Sequence, residues 1–249
     1  MSVVSPRAAR MAAERVFEVS AIAFDLDGTL LDTVHDLAAA VNAMLADLGH
    51  APLRKDTIRV MIGKGLPNLV RRALAAAMNV AADDISQNDL DAALACYQVH
   101  YAALLGRETV AFPGMREGLE RLTAMGFPLA VVTNKATRFV RPHLDQARIA
   151  HYFSVIVGGD QLPTRKPDPA QLRHVAECFG IPCSHLLMVG DSGNDVDAAR
   201  AAGCPVLVLP YGYNEGRPVQ DLGADGIVAT LDAVADCVAR AVPSAPETT

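Results

Sequence analysis

The sequence predicts an α/β fold: a doubly wound parallel sheet with an α-helical domain inserted into it. Short apolar runs without polar alternation recur along the chain, as strands buried on both faces require. Stretches of helical period separate these runs. Between the first run and the second, residues 34–110 contain no strand-like segment at all.

The first run, residues 19–24 (VSAIAF), stops abruptly at Asp25. Runs at 129–132 (LAVV), 155–157 (VIV), 186–189 (LLMV) and 206–209 (VLVL) follow, each separated from the next by helix-like sequence. Within the insertion, Ala38, Val41, Leu45 and Leu48 share one helical face, Leu66, Leu69, Val70 and Leu74 share another, and the stretch from Leu90 to Leu105 repeats the pattern. Such stretches bury their apolar faces against one another, so a small bundle is expected. The expected division is a catalytic core of residues 19–33 and 111–241, a helical domain of residues 34–110, and flexible termini at 1–18 and 242–249. Hinges fall after Leu30-Leu31 and at Phe112-Pro113-Gly114, where Pro and Gly punctuate the chain. Met44, Met61, Met78 and Met125 read as core filler, and Tyr211 to Asn214 as the loop leading to a last helix.

With 249 residues, 51% hydrophobic and 20% charged, the chain can bury a sizeable core, which excludes global disorder and fibrous classes. A formal charge of −6 argues against nucleic-acid or anionic-membrane partners while leaving room for a local basic pocket. No apolar stretch approaches the roughly 18 residues of a spanning helix, and the start lacks a signal-peptide apolar segment, so a cytoplasmic protein is expected. The five cysteines, Cys96, Cys178, Cys183, Cys204 and Cys237, show no metal-ligand spacing and read as buried reduced thiols.

Chemistry collects at the strand ends. Asp25 and Asp27 (DLDGT) follow the first run immediately, in the region where open α/β sheets bind ligands. Thr133-Asn134-Lys135 follows the second, and Gly190-Asp191-Ser192-Gly193-Asn194-Asp195 follows the fourth. Between them, Arg165-Lys166-Pro167-Asp168-Pro169 fixes Lys166 just before a helix. Each segment alone reads as a turn, a helix cap or a surface lysine. Together they deliver four carboxylates, a hydroxyl and a lysine to one crevice. Clustered acids raise one another's pKa unless a cation intervenes, and an all-oxygen donor set suits Mg²⁺.

The order Asp25-Leu26-Asp27-Gly28-Thr29, then Thr133-Asn134, then Lys166, then Gly190-Asp191 with Asp195, resembles the four motifs of the haloacid dehalogenase-like superfamily of phosphohydrolases. The resemblance spans residues 20–232, and the helical insertion resembles that superfamily's mobile cap. Leu30-Leu31-Asp32-Thr33, Gly63-Lys64-Gly65 and Tyr211-Gly212-Tyr213-Asn214 add a similarity to its phosphoglycolate phosphatase family.

The resemblance implies a Rossmann-like core and a Mg²⁺-dependent phosphomonoester hydrolase working through an aspartyl-phosphate. Asp25 is then the nucleophile. Mg²⁺ is held by Asp25, Asp191 and the main-chain carbonyl of Asp27, while Lys166, Thr133 and Asn134 bind the phosphate. The Asp27 side chain protonates the leaving alkoxide and then activates water, and Asp195 orients the metal shell. Because a halide needs no proton, Asp27 favours phosphate esters over haloacids. The cap loop with Lys64 and Gly65 approaches the leaving group, where Lys64 meets a substrate carboxylate; Arg54, Arg71 and Arg72 are alternative cations. His35 reads as a cap-hinge residue rather than a catalyst. The expected partner is a small phosphorylated metabolite, with the chain a monomer or a homodimer. Three alternatives stay open at this level: another sugar-phosphate phosphatase, phosphomutase or pyrophosphatase; a phosphonate hydrolase with a Schiff-base lysine in the cap; and a non-catalytic regulatory protein on the same fold.

Overall fold

Continuous apolar runs explain the sheet: each strand has to serve two helical layers at once, and the residue alternation divides its side chains between them. The computed structural model describes residues 16–241. In chain order its strands are β1 (Phe17–Val19), β2 (Ala21–Phe24), β3 (Leu31–Asp32), β4 (Val110–Ala111), β5 (Leu129–Val132), β6 (Phe153–Val157), β7 (Leu186–Gly190), β8 (Val206–Val208), β9 (Gly226–Ile227) and β10 (Val238–Arg240). The α-helices are α1 (Val34–Asp47), α2 (Lys55–Arg59), α3 (Leu66–Met78), α4 (Gln87–Leu104), α5 (Met115–Ala124), α6 (Thr137–Gln146), α7 (Ala170–Phe179) and α8 (Gly193–Ala202).

The main sheet is parallel, in the order β6-β5-β2-β7-β8-β9, so β2 sits inside it with β5 and β7 as neighbours. Ile22 and Phe24 face one side and pack with Leu129, Val131, Leu187 and Val189 against Leu119 and Leu122 of α5 and Val140 and Leu144 of α6. Ala21 and Ala23 face the other, where Val132, Met188 and Val206 meet Leu172 and Val175 of α7 and Val196 and Ala199 of α8. This is the doubly wound arrangement. Every sheet crossover brings the chain back to the same edge, so the carboxyl ends of β2, β5 and β7 open onto one crevice.

Helices α1 to α4 form a separate apolar cluster above that crevice, centred on Val41, Met44, Leu45, Ile58, Val70, Leu74, Ala93, Tyr97 and Tyr101. Phe139 from α6 and Tyr213 from the loop after β8 belong to the same cluster, so the helical unit rests on the sheet domain through apolar contacts. The chain enters and leaves the helical unit through the antiparallel β3–β4 ribbon, where Leu31 pairs with Ala111 and Asp32 with Val110.

Several expectations need correction. Phe17 and Glu18, placed among the flexible termini, lie in β1, which pairs in parallel with β10; residues 1–15 and 242–249 lie outside the described residues. Among the described residues no α-helix follows Tyr211 to Asn214: Asp232–Cys237 is a 3₁₀ turn leading into β10. Leu48, Met78 and Met125 are exposed rather than buried, because each sits at or just past a helix end where the apolar face no longer has a partner, whereas Met44 and Met61 are core residues as expected. Cys204 and Cys237 are buried, Cys96 and Cys183 half-buried and Cys178 exposed; none of the five forms a disulfide. Among the described residues no helix is long and apolar enough to cross a membrane.

Candidate active site

At the end of β2 the Asp25 carboxylate is fixed on one oxygen. Its Oδ1 accepts the Leu26 amide at 2.7 Å and lies 3.1 Å from Lys166 Nζ. Lys166 is itself buried, and its ammonium also donates to Asp195 Oδ1 at 2.6 Å and to the Val132 carbonyl at 2.8 Å. A lysine has three N–H donors, and these contacts use all of them. The other oxygen of Asp195 caps α8: it accepts the Asp191 amide at 3.2 Å, the Ser192 amide at 3.0 Å and the Ser192 hydroxyl at 2.7 Å. The carboxylate at this helix N-terminus is favoured by the helix dipole as well as by its donors. Asp195 thereby ties the end of β7 to Lys166.

Asp191 completes the cluster. Thr29 Oγ1 donates to its Oδ1 at 2.5 Å and the Tyr213 amide to its Oδ2 at 2.6 Å. One oxygen each from Asp25, Asp191 and Asp195 lies within 4.8 Å of the others. Burial pushes the Asp25 carboxyl up to about 6 even with Lys166 beside it. Burial pushes Asp191 well above the ordinary carboxylate range, and the neighbouring Asp195 and Asp25 push it further. Burial acts against the Lys166 ammonium, but Asp195 and Asp25 more than offset it and raise its pKa. Three buried carboxylates thus cluster beside an ammonium that pairs with two of them, Asp25 and Asp195. The backbone approaches Asp191 closely at two glycines, since a Cβ at Gly28 or Gly212 would collide with its carboxylate, and Gly28 further requires its positive φ of 94°. A buried, oxygen-only, charge-deficient cluster of this kind fits a metal ion.

The Asp27 side chain points away from this cluster. Lys135 Nζ spans its two oxygens at 3.0 and 3.1 Å and also donates to the Tyr101 hydroxyl, with the ammonium 4.8 Å from the Tyr101 ring centroid. Burial alone would raise the Asp27 carboxyl; Lys135 reverses this and holds it below its usual range. Lys135, which the sequence left without a role, is the residue that this geometry adds to the site. Its only signal was adjacency to Thr133-Asn134 at a strand end.

Above Asp25 and Asp27 the structure encloses a cavity of about 50 Å³. Thr133, Asn134 and Gly65, singled out from the sequence, all line it. Asn134 Nδ2 donates to the carbonyls of Gly63 and Lys166, both at 2.9 Å, joining the cap loop to the core. Lys64 is placed elsewhere. Its ammonium lies 2.9 Å from both Glu215 oxygens, and Arg72 binds the same carboxylate at 2.9 Å. Arg71 is spent on the carbonyls of Ala82 and Ile85, Arg54 is solvent-exposed, and His35 stands on α1 between Lys55 and Glu108, outside the cavity.

A parallel sheet carrying an aspartate pair, a lysine and two further aspartates at adjoining strand ends, under a helical lid, defines a hydrolase class. The chain matches the haloacid dehalogenase-like hydrolase family over residues 22–209 and belongs to it. It is 49% identical over 213 residues to a phosphoglycolate phosphatase of Nitrosospira multiformis, covering 86% of this chain and 92% of that protein. It is 44% identical over 223 residues to a phosphoglycolate phosphatase of Thiobacillus denitrificans, covering 90% and 97% respectively. A crystal structure described as a predicted phosphoglycolate phosphatase from Haemophilus somnus 129pt superposes with a TM-score of 0.82 at 36% identity, covering 87% of this chain and 96% of that one.

Proposed function

We propose that this chain is a Mg²⁺-dependent phosphatase that hydrolyses 2-phosphoglycolate to glycolate and phosphate. The observation that carries the reading is the convergence of Asp25, Asp191 and Lys166 at adjoining strand ends, in a chain close in sequence to phosphoglycolate phosphatases over nearly its whole length.

Asp25 is the nucleophile. Its Oδ1 is held by Leu26 and Lys166, while its Oδ2 has no hydrogen-bond partner among the described residues and is the oxygen free to attack phosphorus. Attack forms the Asp25–phosphate bond and breaks the ester bond to the departing glycolate oxygen. Asp25, Asp191 and the Asp27 carbonyl would hold Mg²⁺, which when bound offsets the charge of the carboxylates and phosphate. Asp195 orients Lys166 and the end of β7. Thr133, at the edge of the crevice, binds a phosphate oxygen, and the Lys166 ammonium behind Asp25 offsets the charge that the phosphate brings. Asp27 gives a proton to the leaving oxygen and takes one back from the water that hydrolyses the phosphoenzyme. Before substrate arrives Asp27 is ionised and paired with Lys135, so it takes up a proton from water as substrate binds, gives that proton to the leaving oxygen and recovers one from the hydrolytic water.

Residues 34–110 act as the cap, swinging on the β3–β4 ribbon to admit substrate and exclude bulk water. Phosphate release from a panel of phosphorylated metabolites tests the reading. 2-Phosphoglycolate is expected to give the highest kcat/KM, with activity lost in EDTA and restored by Mg²⁺. A sugar phosphate ranking above it would overturn the substrate, and an Asp25→Asn variant with full activity would overturn the mechanism.

A further inference from the structure

Lys135 is the one basic side chain among the described residues lining the cavity above Asp25 and Asp27. The walls around it are apolar: Leu37, Ile62, Leu66, Leu69 and Phe139 leave few polar groups to meet a ligand. Those few are set in a pattern. Tyr97 and Tyr101 lie four residues apart on α4, hence on one face, with their rings stacked at a centroid distance of 5.5 Å. The Tyr97 hydroxyl is buried and has no hydrogen-bond partner among the described residues. The Tyr101 hydroxyl accepts from Lys135, and its own proton meets no acceptor among the described residues. Burial keeps both phenols protonated, so both are donors.

Two uncommitted O–H donors beside a buried ammonium form a cradle for an anion, and an unsatisfied buried hydroxyl is costly unless a ligand answers it. The phosphate end of the cavity is already provided for by Asp25 and Thr133, with Lys166 behind Asp25. We infer that Lys135, with the hydroxyls of Tyr97 and Tyr101, is the subsite that reads the substrate's second anionic group, the carboxylate that does not react. The inference rests on the phosphoglycolate reading above and replaces Lys64, which Glu215 neutralises outside the cavity, as the cation that selects the acid. Geometry gives the subsite a second consequence. Lys135 also spans the Asp27 carboxylate, so the arriving carboxylate shares the ammonium with the residue that moves the proton, and a substrate without one leaves that pair undisturbed.

The test compares kcat/KM for 2-phosphoglycolate with that for 2-hydroxyethyl phosphate, in which an alcohol replaces the carboxylate and the scissile ester is the same. Wild type is expected to prefer the acid. Lys135→Met is expected to lower that preference about 100-fold, as loss of a charge-assisted contact in a dry site does. Because Lys135 touches Asp27, both substrates slow in this variant and only the ratio is read. Tyr97→Phe removes a hydroxyl that holds nothing else in place, folds as wild type does, and is expected to lower the ratio about 10-fold. A preference that survives both variants, or one that falls with Lys64→Met and stands with Lys135→Met, overturns the subsite while leaving the phosphatase reading intact. A wild-type enzyme with no preference for the acid overturns the substrate reading, and the subsite with it.

Discussion

The two walls of the cavity follow opposite rules. On the sheet side, Lys166 uses every N–H it has, Asp195 accepts from four donors, and both oxygens of Asp191 are occupied. On the helical side the surface is apolar, and the Tyr97 hydroxyl has no partner among the described residues. A saturated network has one geometry, which suits the reacting atoms, where small displacements cost large factors in rate. A sparse wall leaves its few polar groups for the ligand, which suits selection. The division of labour predicts that substitutions on the sheet side lose turnover or fold, whereas those on the helical side change what is turned over.

Asp25→Asn is the most severe way to break the sheet wall. It is expected to reduce phosphate release from 2-phosphoglycolate by about 10⁴-fold or more, as loss of a nucleophile does. The fold should gain from the same change, since one charge leaves a buried cluster of three acids. In metal-free buffer the variant's Tm is expected to exceed that of wild type, and added Mg²⁺ is expected to stabilise wild type more than the variant. Equal Tm shifts with Mg²⁺ in the two proteins would show that Asp25 holds no ion.

Lys166→Met comes next. It leaves the buried Asp195 side chain without its ion-pair partner, a situation that costs about 3–5 kcal/mol. Urea unfolding should show that loss, with turnover lost as well. Lys166→Met with Asp195→Asn should recover part of the stability and none of the activity. Independent losses from the two substitutions would contradict the coupling read from their 2.6 Å contact.

These effects were legible in the sequence to unequal degrees, for a physical reason. Runs such as 129–132 and 186–189 announce strands because burial on both faces forbids alternation, and the acids that end them mark the crevice. The pairs β1–β10 and β3–β4 leave no such mark, being two or three residues long and formed only where distant segments meet. Asp25 and Asp191 meet because sheet topology sets the ends of β2 and β7 side by side, and Asp195 follows on the first turn of α8; Lys166 reaches them from the loop after β6, where the neighbouring prolines mark the approach to α7. Lys135 takes its meaning from Tyr101, 34 residues away on a helix of the insertion, and no local pattern encodes that meeting. Lys64 shows the converse: a loop lysine beside two glycines suits a ligand equally well whether it faces the cavity or, as here, Glu215.

His143 tests the seam between the walls. It is fully buried on α6, its Nε2 is 3.0 Å from Thr109 Oγ1 and its Nδ1 has no partner among the described residues. Burial first, and then Lys135, lower its pKa from 6.5 to about 4, against the opposing pull of Asp27 and Asp36. The unfolded chain takes up the proton first, so the His143 contribution is full above pH 6.5 and is lost as the pH falls towards 4. The loss amounts to about 3 kcal/mol across that window. Urea unfolding of wild type at pH 7 and pH 4.5 is expected to reveal it, and His143→Gln is expected to remove that part of the slope. An unchanged slope in the variant would assign the acid sensitivity to other groups.

Ion pairs at the rim, rather than within the walls, carry the smallest effect. Glu215, from the loop after β8, holds Lys64 and Arg72 of the helical unit, all three side chains partly exposed. Exposed pairs contribute about 0–1 kcal/mol and are screened by salt, unlike the buried Lys135–Asp27 pair. Glu215→Gln is therefore expected to lower Tm by only a few degrees, and by less at 1 M NaCl. Backbone geometry separates two variants that both remove the charge. Glu215 has a φ of 56°, a left-handed conformation that costs a non-glycine residue about 1 kcal/mol, so glycine recovers in backbone what it loses in ion pairing. Glu215→Gly should melt at or above Glu215→Gln. The reverse order would mean that the Glu215 side chain braces the helical unit by packing, and that the rim belongs with the saturated wall.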